Sequence, residues 1–159
     1  MPQNVIYYGI FLDEESRKIL IDLVPEDAYK VFCDHMTLAH CSTFNDEVVE
    51  RCNNMLGKEV TLTATTIGES EDAMAVGVET NCFSVNKHKH ITLCTMTPAS
   101  KPVQSNYIEN WMRLDEPILL RGTVMAFTKN GLVKENRVNN RKVTINEGQF
   151  RRLLEDKIK

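Results

Sequence analysis

A tetrapeptide that occurs twice is the feature of this sequence best suited to chemistry. It reads His35-Met36-Thr37-Leu38 in its first copy and His90-Ile91-Thr92-Leu93 in its second. Side chains alternate across a β-strand, so each copy would present histidine and threonine on one face and two apolar residues on the other. Two of the four histidines would fit this pattern by chance in well under about 1% of comparable sequences. The remaining alternative is packing alone, because strands favour β-branched and apolar residues.

Two histidines accompanied by two threonines suit the transfer of a phosphoryl group to water. The ordinary pKa of histidine is about 6.5, so one ring can take a proton from water while the other gives a proton to the leaving oxygen. Threonine hydroxyls can donate hydrogen bonds to the non-bridging phosphate oxygens. The sequence therefore predicts a catalytic set without a metal or other cofactor, which would also open a cyclic phosphate: His35, Thr37, His90 and Thr92.

The spacing of apolar residues predicts an α+β body in which most strands are antiparallel. A strand over Val5–Leu12 should precede a helix capped by Asp13, and a second helix should begin at Thr43 and end at Gly57. The two histidine segments alternate as half-buried strands do. Other predicted elements are a helix or loop at 29–32, a hairpin of strands at 60–65 and 73–78, a short helix near 104–112, and a strand at 118–127 that contains Gly122.

Length and charge divide the chain into a body and a tail. The 159 residues, 42% of them apolar, are enough for one domain with a core. Residues 1–128 carry 10 basic and 18 acidic side chains, whereas residues 129–159 carry 9 basic and 4 acidic ones. We therefore expect one domain at 1–128 and a basic C-terminal extension at 129–159, helical beyond Asn146, that either contacts nucleic acid or is simply solvated.

The sequence indicates a soluble protein of the cell interior. No segment approaches the roughly 20 apolar residues that cross a bilayer, and no basic segment followed by an apolar one begins the chain. The five cysteines are odd in number and contain no C-x-x-C pair, which argues against a disulfide framework or a thiolate zinc site. We expect a cytoplasmic or nuclear monomer that does not bind membranes.

The doubled motif resembles that of the 2H phosphoesterases, and the match narrows to the cyclic phosphodiesterase domain at the C-terminal end of fungal tRNA ligases. The resemblance extends over about residues 5–128, without a segment similar to the ligase and kinase modules of those proteins. Four segments carry it: Tyr7-Tyr8-Gly9-Ile10, the first histidine strand, Asp72-Ala73-Met74-Ala75-Val76, and the second histidine strand with its continuation Lys101-Pro102-Val103-Gln104-Ser105-Asn106.

This resemblance implies a two-lobed 2H phosphoesterase fold with pseudo-twofold symmetry, in which each lobe gives one histidine strand to a central cleft. It also implies hydrolysis of the 2′,3′-cyclic phosphate of an RNA end or nucleotide to a 2′-phosphate, as in the healing of cleaved tRNA. By analogy with other 2H enzymes, His90 would be the base for water and His35 the acid for the leaving 3′ oxygen.

Several further residues have a functional and an ordinary interpretation. Lys101 could bind a phosphate, and Ser105 and Asn106 could cap a helix whose N-terminus points at the anion. A surface position for Lys101 and helix capping without substrate contact explain these residues equally well. His40 should point to the opposite face of a regular strand from His35, which favours a structural role. His88 and His90, together with His35, could ligate a metal.

Three other functions remain open from the sequence. The chain could be a catalytically inactive module that binds RNA ends or nucleotides. It could prefer a 2′,5′-linked oligonucleotide as substrate. It could also be a metal-dependent hydrolase built on the H-x-H segment.

Overall fold

Long antiparallel strands dominate the computed structural model, which describes residues 4–135. Two short 3₁₀ turns, Cys41–Thr43 and Pro102–Tyr107, join some of these elements. In chain order the strands and α-helices of this part of the chain are β1 (Val5–Leu12), α1 (Glu14–Ile21), β2 (Lys30–Val31), β3 (His35–His40), α2 (Asp46–Met55), β4 (Glu59–Glu69), β5 (Ala73–Glu79), β6 (His90–Thr95), β7 (Asn110–Thr128) and β8 (Gly131–Val133).

Six strands form a closed antiparallel ring in the order β1-β3-β6-β5-β4-β7, with β7 returning to β1. The 19 residues of β7 make this closure possible, because its first part pairs with β4 and its last part pairs with β1. The antiparallel arrangement predicted from the sequence is confirmed. The strands are joined in one continuous ring, and the pseudo-twofold symmetry of the resemblance stays a prediction.

The apolar residues of the two histidine strands are part of the hydrophobic core. Met36, Leu38, Ile91 and Leu93 have no exposed surface and belong to one cluster that also contains residues of β1, β4, β5 and β7. Burying such a side chain stabilises the folded state by roughly 1.5–3 kcal/mol relative to leaving it exposed. The alternation predicted for both tetrapeptides is therefore confirmed, and burial of the apolar pair fixes which face the polar pair must occupy.

The two helices begin at polar caps, one of which was predicted at the wrong residue. The Asp13 carboxylate accepts a backbone hydrogen bond in the first turn of α1, as expected. For α2 the cap is Asn45, whose side-chain oxygen accepts from the backbone N–H of Val48 at 2.8 Å. The predicted cap, Thr43, lies instead in the preceding 3₁₀ turn. Gly57 follows α2 with a φ of +82°, the left-handed conformation predicted for it.

Two further predictions of local structure differ from what the structure contains. The segment predicted as a helix or loop at 29–32 includes β2, which pairs with the end of β6. The helix predicted near 104–112 is replaced by the 3₁₀ turn Pro102–Tyr107 and the start of β7 at Asn110. β7 begins early because Trp111 pairs with Gly68 of β4, a contact between distant parts of the sequence.

The boundary predicted between body and tail, at residue 128, falls within the hairpin formed by β7 and β8. β8 lies beyond residue 128 and pairs antiparallel with the end of β7. The helix predicted beyond Asn146 falls on residues 136–159, outside the described residues. Within residues 4–135, neither helix has the length and apolar character needed to span a bilayer.

Candidate active site

The two histidine strands are neighbours in the ring. β3 and β6 run antiparallel and pair at Met36 and Ile91, both of which point into the core. The polar residues on either side of this pair must therefore face away from the core, on one common surface. These polar residues line a single cavity of about 790 Å³ and comprise His35, Thr37, His90 and Thr92.

The register places His35 and His90 diagonally across the two strands, on either side of the Met36–Ile91 pair. Counting outward from the Met36–Ile91 pair along antiparallel strands brings His35 level with Thr92 and Thr37 level with His90. In a regular antiparallel pair, such diagonal neighbours lie about 7–8 Å apart. The backbone positions of the two histidines are thus close enough for both side chains to line one cavity, each with the threonine of its own strand two residues away.

The ring of His35 is held by aromatic neighbours from β1. It stacks against Tyr7 with the ring centroids 4.9 Å apart and against Phe11 with the centroids 5.2 Å apart. Gly9 lies between these two aromatic residues in the sequence, and a methyl group there would lie 3.4 Å from the imidazole and 3.0 Å from the carbonyl oxygen of Met36. A side chain at Gly9 would therefore press on the carbonyl oxygen of Met36 and touch the His35 ring at an ordinary contact distance.

Asp34 orients His35 and was not identified from the sequence. Its Oδ1 lies 2.9 Å from Nδ1 of His35, and Nε2 of the same ring lies 3.2 Å from the hydroxyl of Thr37. Burial raises the pKa of Asp34, but the hydrogen bond and charge of His35 outweigh it and hold that pKa below its usual value. An ionised carboxylate can only accept, so Nδ1 of His35 carries a proton and donates to Oδ1 of Asp34.

His90 has the opposite electrostatic environment. Its Nδ1 donates to the backbone carbonyl of His88 at 2.8 Å, so in the neutral ring the lone pair is on Nε2. Burial lowers the pKa of His90, and the nearby rings of His88 and His35 lower it further, against the opposing effect of the His88 carbonyl. His90 is therefore neutral near pH 7 and able to accept a proton.

The three residues predicted to contact substrate have three different positions. Ser105 is 2% exposed, and its Oγ accepts a hydrogen bond from the hydroxyl of Thr92 at 2.9 Å, so it lies behind the site. Asn106 lines the cavity. Lys101 is exposed outside the lining, and its backbone N–H donates to the side chain of Gln104 at 2.6 Å, a capping contact.

His40 lies on the same face of β3 as His35, and the opposite orientation expected for a regular strand is not found because β3 is irregular here. Tyr8 pairs with Ala39 whereas Gly9 pairs with Thr37, so β3 has one extra residue at this point. Such a bulge reverses the alternation that follows it. His40 is consequently exposed and lines the same cavity as the two histidines and two threonines of the predicted set. The bulge depends on the pairing with β1, which the local sequence does not reveal.

His88 does not join the other histidines as a metal ligand. It precedes β6, and its ring lies 4.1 Å from the ring of Trp111, measured between centroids. Among residues 4–135, no three or more histidine, cysteine, aspartate or glutamate side chains are grouped closely enough to hold a metal ion. The ligand set considered from H-x-H and His35 is therefore not assembled in the described part of the chain.

Comparison with known proteins gives matches among solved structures. No family model and no curated protein matches the sequence. The crystal structure of a fungal RNA kinase matches with a TM-score of 0.59 and 16% identity, over 78% of this chain and 45% of that one. The chain thus spans less than half of that protein. The chain has a 2H phosphoesterase-like fold. A phosphoesterase crystal structure also matches, with a TM-score of 0.44 and 19% identity, over 84% of this chain and 95% of that one.

The 2H phosphoesterase-like fold accounts for the position of both tetrapeptides. In this chain the fold makes β3 and β6 adjacent and directs their polar residues into one cavity. The resemblance drawn from the doubled motif is confirmed at the level of the fold.

Proposed function

We propose that this protein hydrolyses the 2′,3′-cyclic phosphate of an RNA end to a 2′-phosphate and a free 3′-hydroxyl. The observation that carries the proposal is the pairing of two histidines of opposite character in one cavity. His90 is kept neutral by burial, and His35 is held against an ionised carboxylate. Such a pair supplies the base and the acid that a displacement at phosphorus requires.

The reaction follows from the proton positions on the two rings. Nε2 of His90 takes a proton from water as the water oxygen attacks phosphorus. The bond from phosphorus to the 3′ oxygen breaks, and protonated His35 gives its Nε2 proton to that oxygen. The products are a 2′-phosphate and a 3′-hydroxyl, and proton exchange with solvent restores both rings. The hydroxyl of Thr37 can donate to a non-bridging oxygen as charge develops, and the hydroxyl of Thr92 can do so by exchanging its bond to Ser105 for one to the phosphate.

The size and lining of the cavity support a nucleotide substrate. Its volume of about 790 Å³ lies within the range typical of small-molecule sites. Three aromatic side chains, Tyr7, Phe32 and Phe127, line it together with the histidines. Unpaired bases stack on such rings in many RNA complexes. The structural neighbour with the higher TM-score is a fungal RNA kinase, which also favours an RNA-related substrate.

The test is product analysis in the presence of EDTA. The protein is incubated with uridine 2′,3′-cyclic monophosphate, and the 2′- and 3′-monophosphates are separated by chromatography. We expect the 2′-phosphate, and a loss of about 10²–10⁴-fold in kcat for His35→Ala and for His90→Ala. Thr37→Ala should reduce kcat, whereas the matched control Thr61→Ala, on an exposed position of β4, should not.

Several outcomes would contradict the proposal. Exclusive formation of the 3′-phosphate would reverse the assignment of the leaving oxygen. Binding of the nucleotide without turnover would identify an inactive module, and loss of activity with EDTA would identify a metal-dependent enzyme. Faster cleavage of a 2′,5′-linked dinucleotide than of the cyclic phosphate would identify a 2′,5′-phosphodiesterase. Thermal unfolding of each variant would separate lost activity from lost structure.

A further inference from the structure

The cavity continues past the catalytic residues along β3 towards His40. His40 follows His35 by five residues, which corresponds to roughly 16 Å along a regular strand and somewhat less across a bulge. Ser42, Thr43 and Asn86 line the same end. A phosphate held between His35 and His90 would not reach this far, so the cavity is longer than a terminal cyclic phosphate requires.

The imidazole of His40 is oriented through Nδ1, and its other nitrogen, Nε2, has the Sγ atom of Cys41 as a weak neighbour at 4.0 Å. The backbone N–H of Ser42 donates to Nδ1 of His40 at 3.1 Å, and the hydroxyl of Ser42 lies 3.0 Å from the same nitrogen. A backbone N–H can only donate, so Nδ1 carries the lone pair and the neutral ring has its proton on Nε2. The hydroxyl of Thr43 donates to the carbonyl of His40 at 2.7 Å and holds the turn in place.

This end of the cavity has the polarity that an anion prefers. Besides His40, the side-chain amide of Asn86 can donate a hydrogen bond. Among the described residues that line the cavity, Asp34 is the one that carries a carboxylate. It is hydrogen-bonded to His35 at the other end of β3.

We propose that the region lined by His40, Ser42, Thr43 and Asn86 binds the phosphodiester that precedes the terminal nucleotide of the substrate. The inference rests on the proposed function and names its substrate class: oligonucleotide ends are preferred over mononucleotides. Hydrogen bonds to a charged group are among the stronger ones in proteins. One such bond from Nε2 of His40 would therefore raise kcat/KM for an oligonucleotide about tenfold.

The experiment compares two substrates that differ by one nucleotide. One is uridine 2′,3′-cyclic monophosphate, and the other is the 3′,5′-linked uridine dinucleotide that ends in the same cyclic phosphate. We expect the wild-type protein to favour the dinucleotide about tenfold in kcat/KM, and His40→Ala to bring the ratio of the two values close to one. His40→Gln should preserve much of the preference, because its amide can place an N–H donor near the position of Nε2.

The outcomes separate this inference from the proposed function. Equal kcat/KM for the two substrates in the wild-type protein, or an unchanged ratio in His40→Ala, overturns the subsite while leaving the phosphodiesterase intact. If neither substrate is turned over, calorimetry with uridine 2′-monophosphate and with the dinucleotide ending in a 2′-phosphate decides the question. Tighter binding of the dinucleotide that is lost in His40→Ala supports the subsite, and equal affinities overturn it.

Discussion

Nδ1 of His35 lies 2.9 Å from Oδ1 of Asp34, the residue directly before it in the chain. This contact fixes the orientation and tautomer of the proposed acid, so Asp34 acts as a positioning residue. Asp34→Asn should lower kcat roughly tenfold to a hundredfold, the equivalent of one charge-assisted hydrogen bond. The measurement is steady-state kinetics with uridine 2′,3′-cyclic monophosphate.

A merely structural role of Asp34 would have a different signature. If the carboxylate fixes the orientation and tautomer of the His35 ring, Asp34→Asn should lower kcat while KM and the free energy of unfolding change little. Asp34→Glu should recover part of the activity, because it retains a carboxylate. An Asn variant whose loss of kcat only follows a loss of folded protein would assign Asp34 to folding alone.

The acid limb of the pH profile should report on His90. The base acts only when unprotonated, so activity falls as the pH drops through the pKa of His90. Burial lowers that pKa from its ordinary value of 6.5, and the half-point of the limb in kcat/KM should therefore lie below pH 6.5. Circular dichroism at each pH would verify that the fold persists. A half-point at or above 6.5 would contradict the assignment of His90 as the base.

Ser105 should affect catalysis only through Thr92. The Thr92 hydroxyl donates to the buried Oγ of Ser105 at 2.9 Å, which restrains its rotation. Ser105→Ala should lower kcat by less than Thr92→Ala does and should cost about 0.5–1.5 kcal/mol of stability. In the double variant the two effects on kcat should not add, because both act on one hydroxyl. Additive losses would indicate that Ser105 contacts the substrate independently.

The site was predictable from the sequence where it depends on strand alternation. The orientation of each H-x-T-L segment follows from its own residues. When Met36 or Ile91 is buried, the flanking histidine and threonine must face away from the core. The helix cap at Asp13 and the left-handed Gly57 were likewise predictable, because a cap and a glycine turn are local features. Alternation alone does not tell which strands are neighbours, and the family resemblance supplied that expectation.

Features that depend on pairing between distant segments were not predictable. The bulge that turns His40 into the cavity arises from the register between β1 and β3. The early start of β7 arises from the pairing of Trp111 with Gly68. The first part of β7 contains polar residues and Pro117, so its local sequence does not predict a strand. Asp34 was missed for another reason: an aspartate before a histidine is unremarkable until the fold brings its carboxylate to the ring.

Closure of the ring depends on a residue without a side chain in β7. Gly122 pairs with Leu12 of β1 and with Val60 of β4, at the point where β7 passes from one partner to the other. A Cβ atom there would lie 2.7 Å from Cγ2 of Ile10 and 2.7 Å from the backbone oxygen of Phe11. Gly122→Ala should therefore lower the free energy of unfolding by about 1–3 kcal/mol, because the backbone of β1 must move. Chemical denaturation measures this loss, with Arg121→Ala as the exposed neighbouring control. Since Phe11 stacks on His35, kcat should fall together with stability, and a fully stable Gly122→Ala protein would show that β1 and β7 are not packed this closely.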